Sequence, residues 1–162
     1  VAGYGRGVPM GSGLPAAPRG RTAPTLMTEA ARDPLSGNLD RIQVVKGWLD
    51  AAGEVHEKIY NVAWSGDRRV DAGGGLPPVG NTVDAQTATF RNDIGAPQLS
   101  VVWKDPQFDP AQRAFYYVRV LEIPTPRHST YDAVALQIPV EQTKAPVWIQ
   151  ERAWSSPVWY TP

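Results

Sequence analysis

The run Phe115–Ile123 constrains the fold of this chain more than any other stretch. Successive side chains of an extended strand point to opposite faces. Here both faces are mainly apolar, so we expect a strand covered on both sides, inside a β-sandwich and not at a sheet edge. Arg119 is the exception, because a guanidinium on such a face needs a carboxylate or carbonyl partner. We predict a structural salt bridge or carbonyl contact for Arg119, with Glu151 as one candidate partner.

Composition limits the fold class and the possible partners. Glycine and proline number 15 and 16 among 162 residues, which argues for short strands joined by turns. A chain of this length suits one domain, and the absence of cysteine excludes disulfides and thiolate metal sites. With 16 basic and 16 acidic residues and no basic block, nucleic-acid binding has little support. No apolar run approaches the roughly 20 residues of a membrane helix.

Apolar runs between turn clusters predict an all-β fold, an antiparallel β-sandwich of about eight short strands with long loops and little helix. Residues 1–23 are rich in glycine and proline and predict an irregular arm or linker before a β-sandwich domain at 24–162. The predicted strands and extended segments are Pro24–Arg32, Leu39–Leu49, Val55–Trp64, Asn81–Phe90, Gln98–Trp103, Phe115–Ile123, Val147–Ile149 and Pro157–Tyr160. Residues Ala133–Ile138 form either a short strand or an irregular segment.

Two strand pairings follow from the turn signals. A turn cluster at Asp33–Asn38 predicts a hairpin between the first two strands. The loop that leads into Phe115–Ile123 predicts that this strand is the antiparallel neighbour of Gln98–Trp103. In the second strand Lys46 falls on the apolar face. Either Gly47 marks a bulge that re-aims the strand, or the lysine stem extends to solvent.

No residue set in the sequence predicts catalysis, a cofactor or a metal site. His56 and His128 lack the local partners that a zinc site or a histidine-based triad requires. Asp105 and Asp109 have oxygens that calcium could use, but turn capping explains both. Ser155 and Ser156 lack the flanking glycines of a nucleophile elbow.

Aromatic residues are the remaining candidates for function. Six tryptophans could form a carbohydrate platform. Trp48, Trp103 and Trp148 fall within strand-like runs, however, where core packing is favoured. We therefore predict structural roles for Trp48, Trp103 and Tyr117, as for Arg119 and Glu151.

Four runs together resemble the C-terminal portion of a bacterial family called domain of unknown function family 3604. They are Leu39–Trp48 (LDRIQVVKGW), Ile94–Leu99 (IGAPQL), Asp109–Val120 (DPAQRAFYYVRV) and Ile149–Tyr160 (IQERAWSSPVWY). The resemblance covers nearly the whole chain. Full-length members resemble metal-dependent hydrolases of the PHP (polymerase and histidinol phosphatase) type, whose His-x-His motif and further ligands lie on an upstream barrel.

The resemblance implies an accessory β domain that is not itself catalytic. The parent would be a phosphoester or ester hydrolase with a divalent metal in its N-terminal barrel, and that catalytic portion would be the partner of this domain. None of the upstream ligands is present here, so no catalytic or metal residue is carried over. A chain that begins at Val1, with no initiator methionine, is expected to be a fragment or a processed product. The compartment is left open, with a periplasmic or secreted location as one option.

Two other classes of function stay open. One is a stand-alone binding module that presents aromatic residues to a glycan or a peptide. The other is a structural or homo-oligomerising domain with a large apolar face.

Overall fold

The computed structural model describes residues 7–16 and 23–162, and this part of the chain is built mainly from strands. Within it, eight strands form two sheets, accompanied by one short helix and one 3₁₀ turn. The elements are β1 Gly13–Leu14, β2 Thr25–Ala31, β3 Leu39–Leu49, β4 Val55–Trp64, β5 Gln98–Lys104, β6 Ala114–Pro126, α1 His128–Ala135, the 3₁₀ turn Val140–Thr143, β7 Trp148–Trp154 and β8 Val158–Tyr160. The prediction of an all-β fold with little helix is confirmed.

The larger sheet has six strands in the order β1-β8-β6-β3-β4, with β7 also paired to β6. The 13 residues of β6 include the run Phe115–Ile123, and they pair with β3 along one edge. Along the other edge, β8 pairs with the start of β6 and β7 with its end. The Phe115–Ile123 strand is therefore an interior strand of its sheet, as predicted. The expectation that both of its faces are covered is wrong, because the face with Phe115, Tyr117 and Arg119 is only half-buried.

The smaller sheet consists of β2 and β5, paired antiparallel over seven residues each. The predicted hairpin between Pro24–Arg32 and Leu39–Leu49 is wrong. Both edges of β3 are taken by β4 and β6, which leaves no edge for β2. The turn between β2 and β3 instead carries the chain from one sheet to the other. It is held there by Asn38, whose backbone N–H donates to Asn92 Oδ1 at 2.7 Å.

The predicted pairing of Gln98–Trp103 with Phe115–Ile123 is also wrong, since the two strands lie in different sheets. The loop 105–113 between them crosses from the smaller sheet to the larger one. At its start the backbone N–H of Asp105 donates to the carbonyl oxygen of Pro24, at 3.3 Å, beside β2. A short loop therefore does not imply a hairpin here, because each strand finds its partner elsewhere in the chain.

The two sheets pack face to face around a core. Val44, Ala114 and Tyr116 of the larger sheet are buried, and Leu26 of β2 and Trp103 of β5 pack against them. Removal of this apolar surface from water is the main force that holds the layers together, at roughly 25 cal/mol per Å². We call the side of the larger sheet toward β2 and β5 its inner face and the opposite side its outer face. Only the inner face is covered by the smaller sheet.

Local features differ from the sequence prediction in three places. Residues Ala133–Ile138 are predicted to be extended or irregular, but α1 runs through to Ala135. The segment Asn81–Phe90 contributes one isolated bridge, between Asp84 and Thr89, and no strand. Gly47 marks no bulge, because the register shifts of β3 lie between residues 39 and 43.

The arm expected at 1–23 falls only partly on described residues, since 1–6 and 17–22 lie outside them. Gly13–Leu14 of this arm forms β1. This strand pairs parallel to β8 and is an edge strand of the larger sheet. Among the described residues, no helix is long and apolar enough to cross a membrane.

Candidate functional site

A lysine and an aspartate form an ion pair inside the sandwich. Lys46 Nζ lies 2.7 Å from Asp105 Oδ2, and the two side chains are 3% and 0% exposed. Lys46 also donates to the carbonyl oxygen of Gln107 at 2.6 Å, and the Tyr116 hydroxyl donates to Asp105 Oδ2 at 2.7 Å. A buried pair needs such additional hydrogen bonds, because each ion loses several kcal/mol of hydration. Lys46 thus neither sits at a bulge nor reaches solvent, contrary to both sequence interpretations.

Gln107 extends this network toward β4. Its Oε1 accepts hydrogen bonds from Lys58 Nζ at 2.8 Å and from the Tyr60 hydroxyl at 2.9 Å. Burial, and then the negative charge of Asp105, raises the pKa of Tyr60 to about 12. Burial raises the pKa of Tyr116 as well, with its hydrogen bond to Asp105 as the next cause. Both phenols therefore remain neutral donors near pH 7, and the network fastens the loop 105–113 to the sheet.

Trp48 lies between this network and the turn that joins β3 to β4. Its indole is 5.2 Å from Lys46 Nζ and stacks on the His56 imidazole at 5.2 Å and 17°. His56 Nε2 lies 2.8 Å from Asp50 Oδ2, and this hydrogen bond lowers the pKa of Asp50. The backbone N–H of Glu54 donates to Asp50 Oδ1 at 2.9 Å and closes the turn. His56 is therefore engaged by an aromatic ring and a turn carboxylate.

A second buried carboxylate anchors the loop that follows β4. Asp40 is 1% exposed, and Arg68 Nη2 lies 2.7 Å from its Oδ1. Gln150 Nε2 donates to Asp40 Oδ2 at 2.9 Å from β7. Arg68 also donates to the backbone carbonyl oxygens of Asp40 and Pro77, both at 2.9 Å. One guanidinium thus ties both ends of the loop to the start of β3.

The outer face of the larger sheet bears an aromatic patch, which we call the aromatic face. It consists of Phe115, Tyr117, Trp154 and Trp159. Trp154 and Trp159 are 59% and 52% exposed. The ring of Phe115 lies 6.3 Å from that of Tyr117 and 5.3 Å from that of Trp159, between ring centroids. Strand register places Trp154 opposite Arg119, on the same face. This is the part of the described surface with most exposed indole, and it can stack on a flat or apolar partner.

A polar ladder borders the aromatic face. Arg119 Nε donates to Gln43 Oε1 at 2.8 Å, and Gln43 Nε2 donates to Asn61 Oδ1 at 2.8 Å. The partner of Arg119 is thus an amide carbonyl. Within the described residues Glu151, the candidate named from the sequence, forms no ion pair with Arg119. Glu151 lies instead on the opposite side of β7, where the pairing with β6 is interrupted by a register shift.

Glu151 and His128 line an open pocket of about 290 Å³ between α1 and the ends of β6 and β7. Ser36 and Tyr131 contribute to its walls. His128 is widely exposed, and its Nε2 lies 3.9 Å from Asp132 Oδ2. Among residues 7–16 and 23–162, no group of three or more histidine, aspartate or glutamate side chains is arranged to hold a metal ion. The pocket therefore brings one imidazole and one carboxylate together without a third ligand.

The two aspartates considered as calcium ligands act in turns. Asp105 Oδ1 accepts the backbone N–H of Gln107 at 2.9 Å, and Asp109 Oδ1 accepts that of Ala111 at 2.8 Å. Asp105 is in addition the counter-ion of Lys46. Turn capping accounts for Asp109, and capping together with ion pairing accounts for Asp105.

Residues 1–162 match the family model described as "Protein of unknown function (DUF3604)". The chain belongs to the DUF3604 family. Comparisons with curated proteins and with solved structures gave no match to this DUF3604 chain. The description of the family names no activity.

Sequence reasoning about this DUF3604 chain missed both buried ion pairs and the exposed indoles. Trp103 lies in the core beside Tyr60 and Tyr116, with ring centroids 5.0 and 6.5 Å away. The sequence does not distinguish Trp154 and Trp159 from core tryptophans such as Trp103. Side-chain alternation along a strand does not show which face of the sheet is covered by the rest of the chain. A lysine on an apolar strand face was the one signal for the Lys46–Asp105 pair.

Proposed function

We propose that this chain is a non-catalytic accessory β domain that packs, through its aromatic face, on the catalytic barrel of a PHP-like metal-dependent hydrolase. The observation that carries the proposal is the exposure of Trp154 and Trp159, at 59% and 52%, on one sheet face. Contiguous apolar patches on a surface mark interaction sites. Tryptophan, tyrosine and arginine are enriched at interface centres, and Tyr117 and Arg119 lie beside the two indoles.

The buried polar groups support a scaffolding role. The Lys46–Asp105 and Asp40–Arg68 ion pairs fasten loops to the sheets. The nature of the partner rests on the resemblance of four sequence runs to the C-terminal portion of the family, whose full-length members resemble metallohydrolases. The divalent metal and its ligands would then belong to the barrel.

The first test compares the hydrolytic activity of this chain with that of the longer parent protein. Both are assayed with p-nitrophenyl phosphate and p-nitrophenyl acetate, with and without Mn²⁺ or Zn²⁺. We expect metal-dependent turnover from the parent and none from the chain. Metal-dependent turnover by the chain itself would contradict the proposal.

The second test concerns the interface. In the parent, Trp154→Ser combined with Trp159→Ser should lower the thermal midpoint, because large interface aromatics carry most of the contact energy. Val102→Ser is the matched control, since Val102 is 66% exposed on the smaller sheet, away from the aromatic face. Equal midpoints for the double variant and the control would show that the aromatic face is not the interface.

A glycan-binding module is a second candidate, favoured by the polar ladder beside the indoles. Aromatic rings stack on sugar faces, while groups such as Arg119 and Asn61 hydrogen-bond hydroxyls. Tryptophan fluorescence is titrated with a soluble β-glucan and with chito-oligosaccharides. A saturable change that the Trp154→Ser variant lacks would support glycan binding over the accessory-domain proposal.

A further inference from the structure

The smaller sheet has an edge that remains open among the described residues. Hydrogen bonds from Asp105 N to Pro24 O, at 3.3 Å, and from Arg32 N to Pro97 O, at 2.9 Å, bracket the β2–β5 ladder. Hydrogen-bonded pairs alternate along an antiparallel ladder. The intervening β2 residues that bond to β5 are therefore Leu26, Thr28 and Ala30.

The other residues of β2 direct their backbone N–H and C=O groups to the opposite edge. These residues are Thr25, Met27, Glu29 and Ala31. No backbone group of the described residues pairs with them on that edge. An unpaired strand edge is a template for a further strand. A two-stranded sheet gains most from such an addition, because two strands alone are marginally stable.

A cleft of about 170 Å³ lies at the Ala30–Ala31 end of β2, between this strand and the inner face of the larger sheet. Its lining falls into an apolar part and a charged rim. The apolar part consists of Ala30, Ala31, Leu39, Val120 and Ala153, and the rim of Glu122, Glu151 and Arg152. This volume suits one side chain of modest size at the end of an added strand, and not the whole strand.

The rim has two carboxylates and one guanidinium. Glu122 accepts a hydrogen bond from Ser36 Oγ at 2.5 Å. Within the described residues Glu151 forms no ion pair. The excess carboxylate favours an occupant with a positive charge at this end of the cleft.

We propose that the open edge of β2, with the cleft at its end, binds an extended, basic peptide segment of a partner protein, which adds to β2 as a third strand of the smaller sheet. Main-chain hydrogen bonds to the residues at 25, 27, 29 and 31 would provide the affinity, as in other cases of strand addition. A valine- or alanine-sized side chain at the end of this strand would contact Val120 and Ala153. A lysine or arginine would lie at the rim, near Glu122 and Glu151. The site is on the opposite side of the larger sheet from the aromatic face, so it goes beyond the proposed function and is independent of it.

The probe is a blocked peptide of sequence TVAVKVT, followed by amide NMR of this chain. We expect slowed hydrogen exchange at the Met27 and Glu29 amides, which point to the open edge, and little change at Thr28, which already bonds to β5. The same peptide with glutamate in place of lysine should bind about 2- to 5-fold more weakly, the range for exposed charge pairs. Unchanged Met27 and Glu29 amides at 1 mM peptide would overturn the proposal.

The matched variants are Met27→Pro and Met27→Ala. Met27 is 75% exposed, so alanine removes little packing, whereas proline also removes the N–H at the open edge. We expect Met27→Pro to weaken peptide binding about 5-fold or more, which corresponds to the loss of one main-chain hydrogen bond. The affinity of Met27→Ala should stay within about 2-fold of that of the unaltered chain. Equal affinities for the two variants would contradict strand addition.

Two further measurements keep the test independent of folding and of the aromatic face. A TVAVKVT peptide N-methylated at every residue has no backbone N–H on either edge, and it should fail to bind the unaltered chain. The Trp154→Ser and Trp159→Ser double variant should bind the unmodified peptide normally. Binding of the methylated peptide with full affinity, or loss of binding in the double variant, would refute the cleft as the site.

Discussion

Lys46 Nζ lies 2.7 Å from Asp105 Oδ2, and neither side chain is more than 3% exposed. The pair joins β3 of the larger sheet to the loop that follows β5 of the smaller sheet, so it connects the two layers of the sandwich. If one member is removed, the other is left charged and buried without its counter-ion. That state costs far more than the intact pair contributes.

Asp105→Asn should therefore lower the free energy of unfolding by about 3 kcal/mol. Lys46→Met should have an effect of similar size, because it leaves the Asp105 carboxylate buried without its counter-ion. The double variant should cost less than the sum of the two, because it removes both charges. Urea denaturation followed by tryptophan fluorescence measures all three.

The control for this prediction is Asp93→Asn. Asp93 pairs with Arg91 at 2.9 Å, but the two side chains are 54% and 72% exposed. A change of at most about 0.5 kcal/mol is expected there. An Asp105→Asn variant as stable as Asp93→Asn would show that the buried pair does not hold the layers together.

Stability at alkaline pH should depend on Tyr60. Its pKa is raised in the folded state from 10.0 to about 12, so the folded chain holds this proton where the unfolded chain releases it. The resulting stabilisation is complete below about pH 10 and is lost as the pH rises to about 12. We expect the unfolding free energy to fall across this window and to fall less steeply in Tyr60→Phe. Urea denaturation between pH 8 and 11.5 tests this, with Tyr131→Phe, a phenol outside the network, as the control.

Strand positions could be predicted because side-chain alternation is a local property. The sequence limits for Leu39–Leu49 and Val55–Trp64 agree with the structure to the residue. Strand pairing could not be predicted, because it is decided by competition for edges. β3 had two partners available at β4 and β6, and β2 was left to pair with β5, far along the chain.

The candidate sites were less accessible from the sequence. The Lys46–Asp105 pair joins residues 59 positions apart, and no local pattern links them. Helix α1 was missed because Arg127, at its start, makes no side-chain capping hydrogen bond and gives no N-terminal signal. Alternation showed that both faces of β6 are apolar, but not that Trp154 and Trp159 on the neighbouring strands stay exposed.

Gly47 should tolerate no larger side chain. A Cβ atom at this position would lie 2.4 Å from Phe115 Cζ. Gly47→Ala should therefore destabilise the fold by about 1–3 kcal/mol through overpacking, and adding Phe115→Leu should recover part of that loss. The control is Gly13→Ala, where an added Cβ would meet no atom within 4 Å. Thermal midpoints for Gly47→Ala and Gly13→Ala that coincide would contradict the predicted clash.

The adjacent residues Arg68 and Arg69 should behave differently when each is changed to methionine. Arg68 contacts the buried Asp40 carboxylate at 2.7 Å and donates to Pro77 O at 2.9 Å, whereas Arg69 is exposed. Arg68→Met should lower the unfolding free energy by up to about 3 kcal/mol, because Asp40 loses the nearer of its two arginines and keeps only Arg41, at 3.6 Å. It should also free the loop 65–80 for cleavage by thermolysin, which attacks beside apolar residues such as Val70 and Leu76. Arg69→Met should leave both the unfolding free energy and the cleavage rate near those of the unaltered chain. Equal cleavage of the two variants would show that the Asp40–Arg68 contact does not anchor the loop.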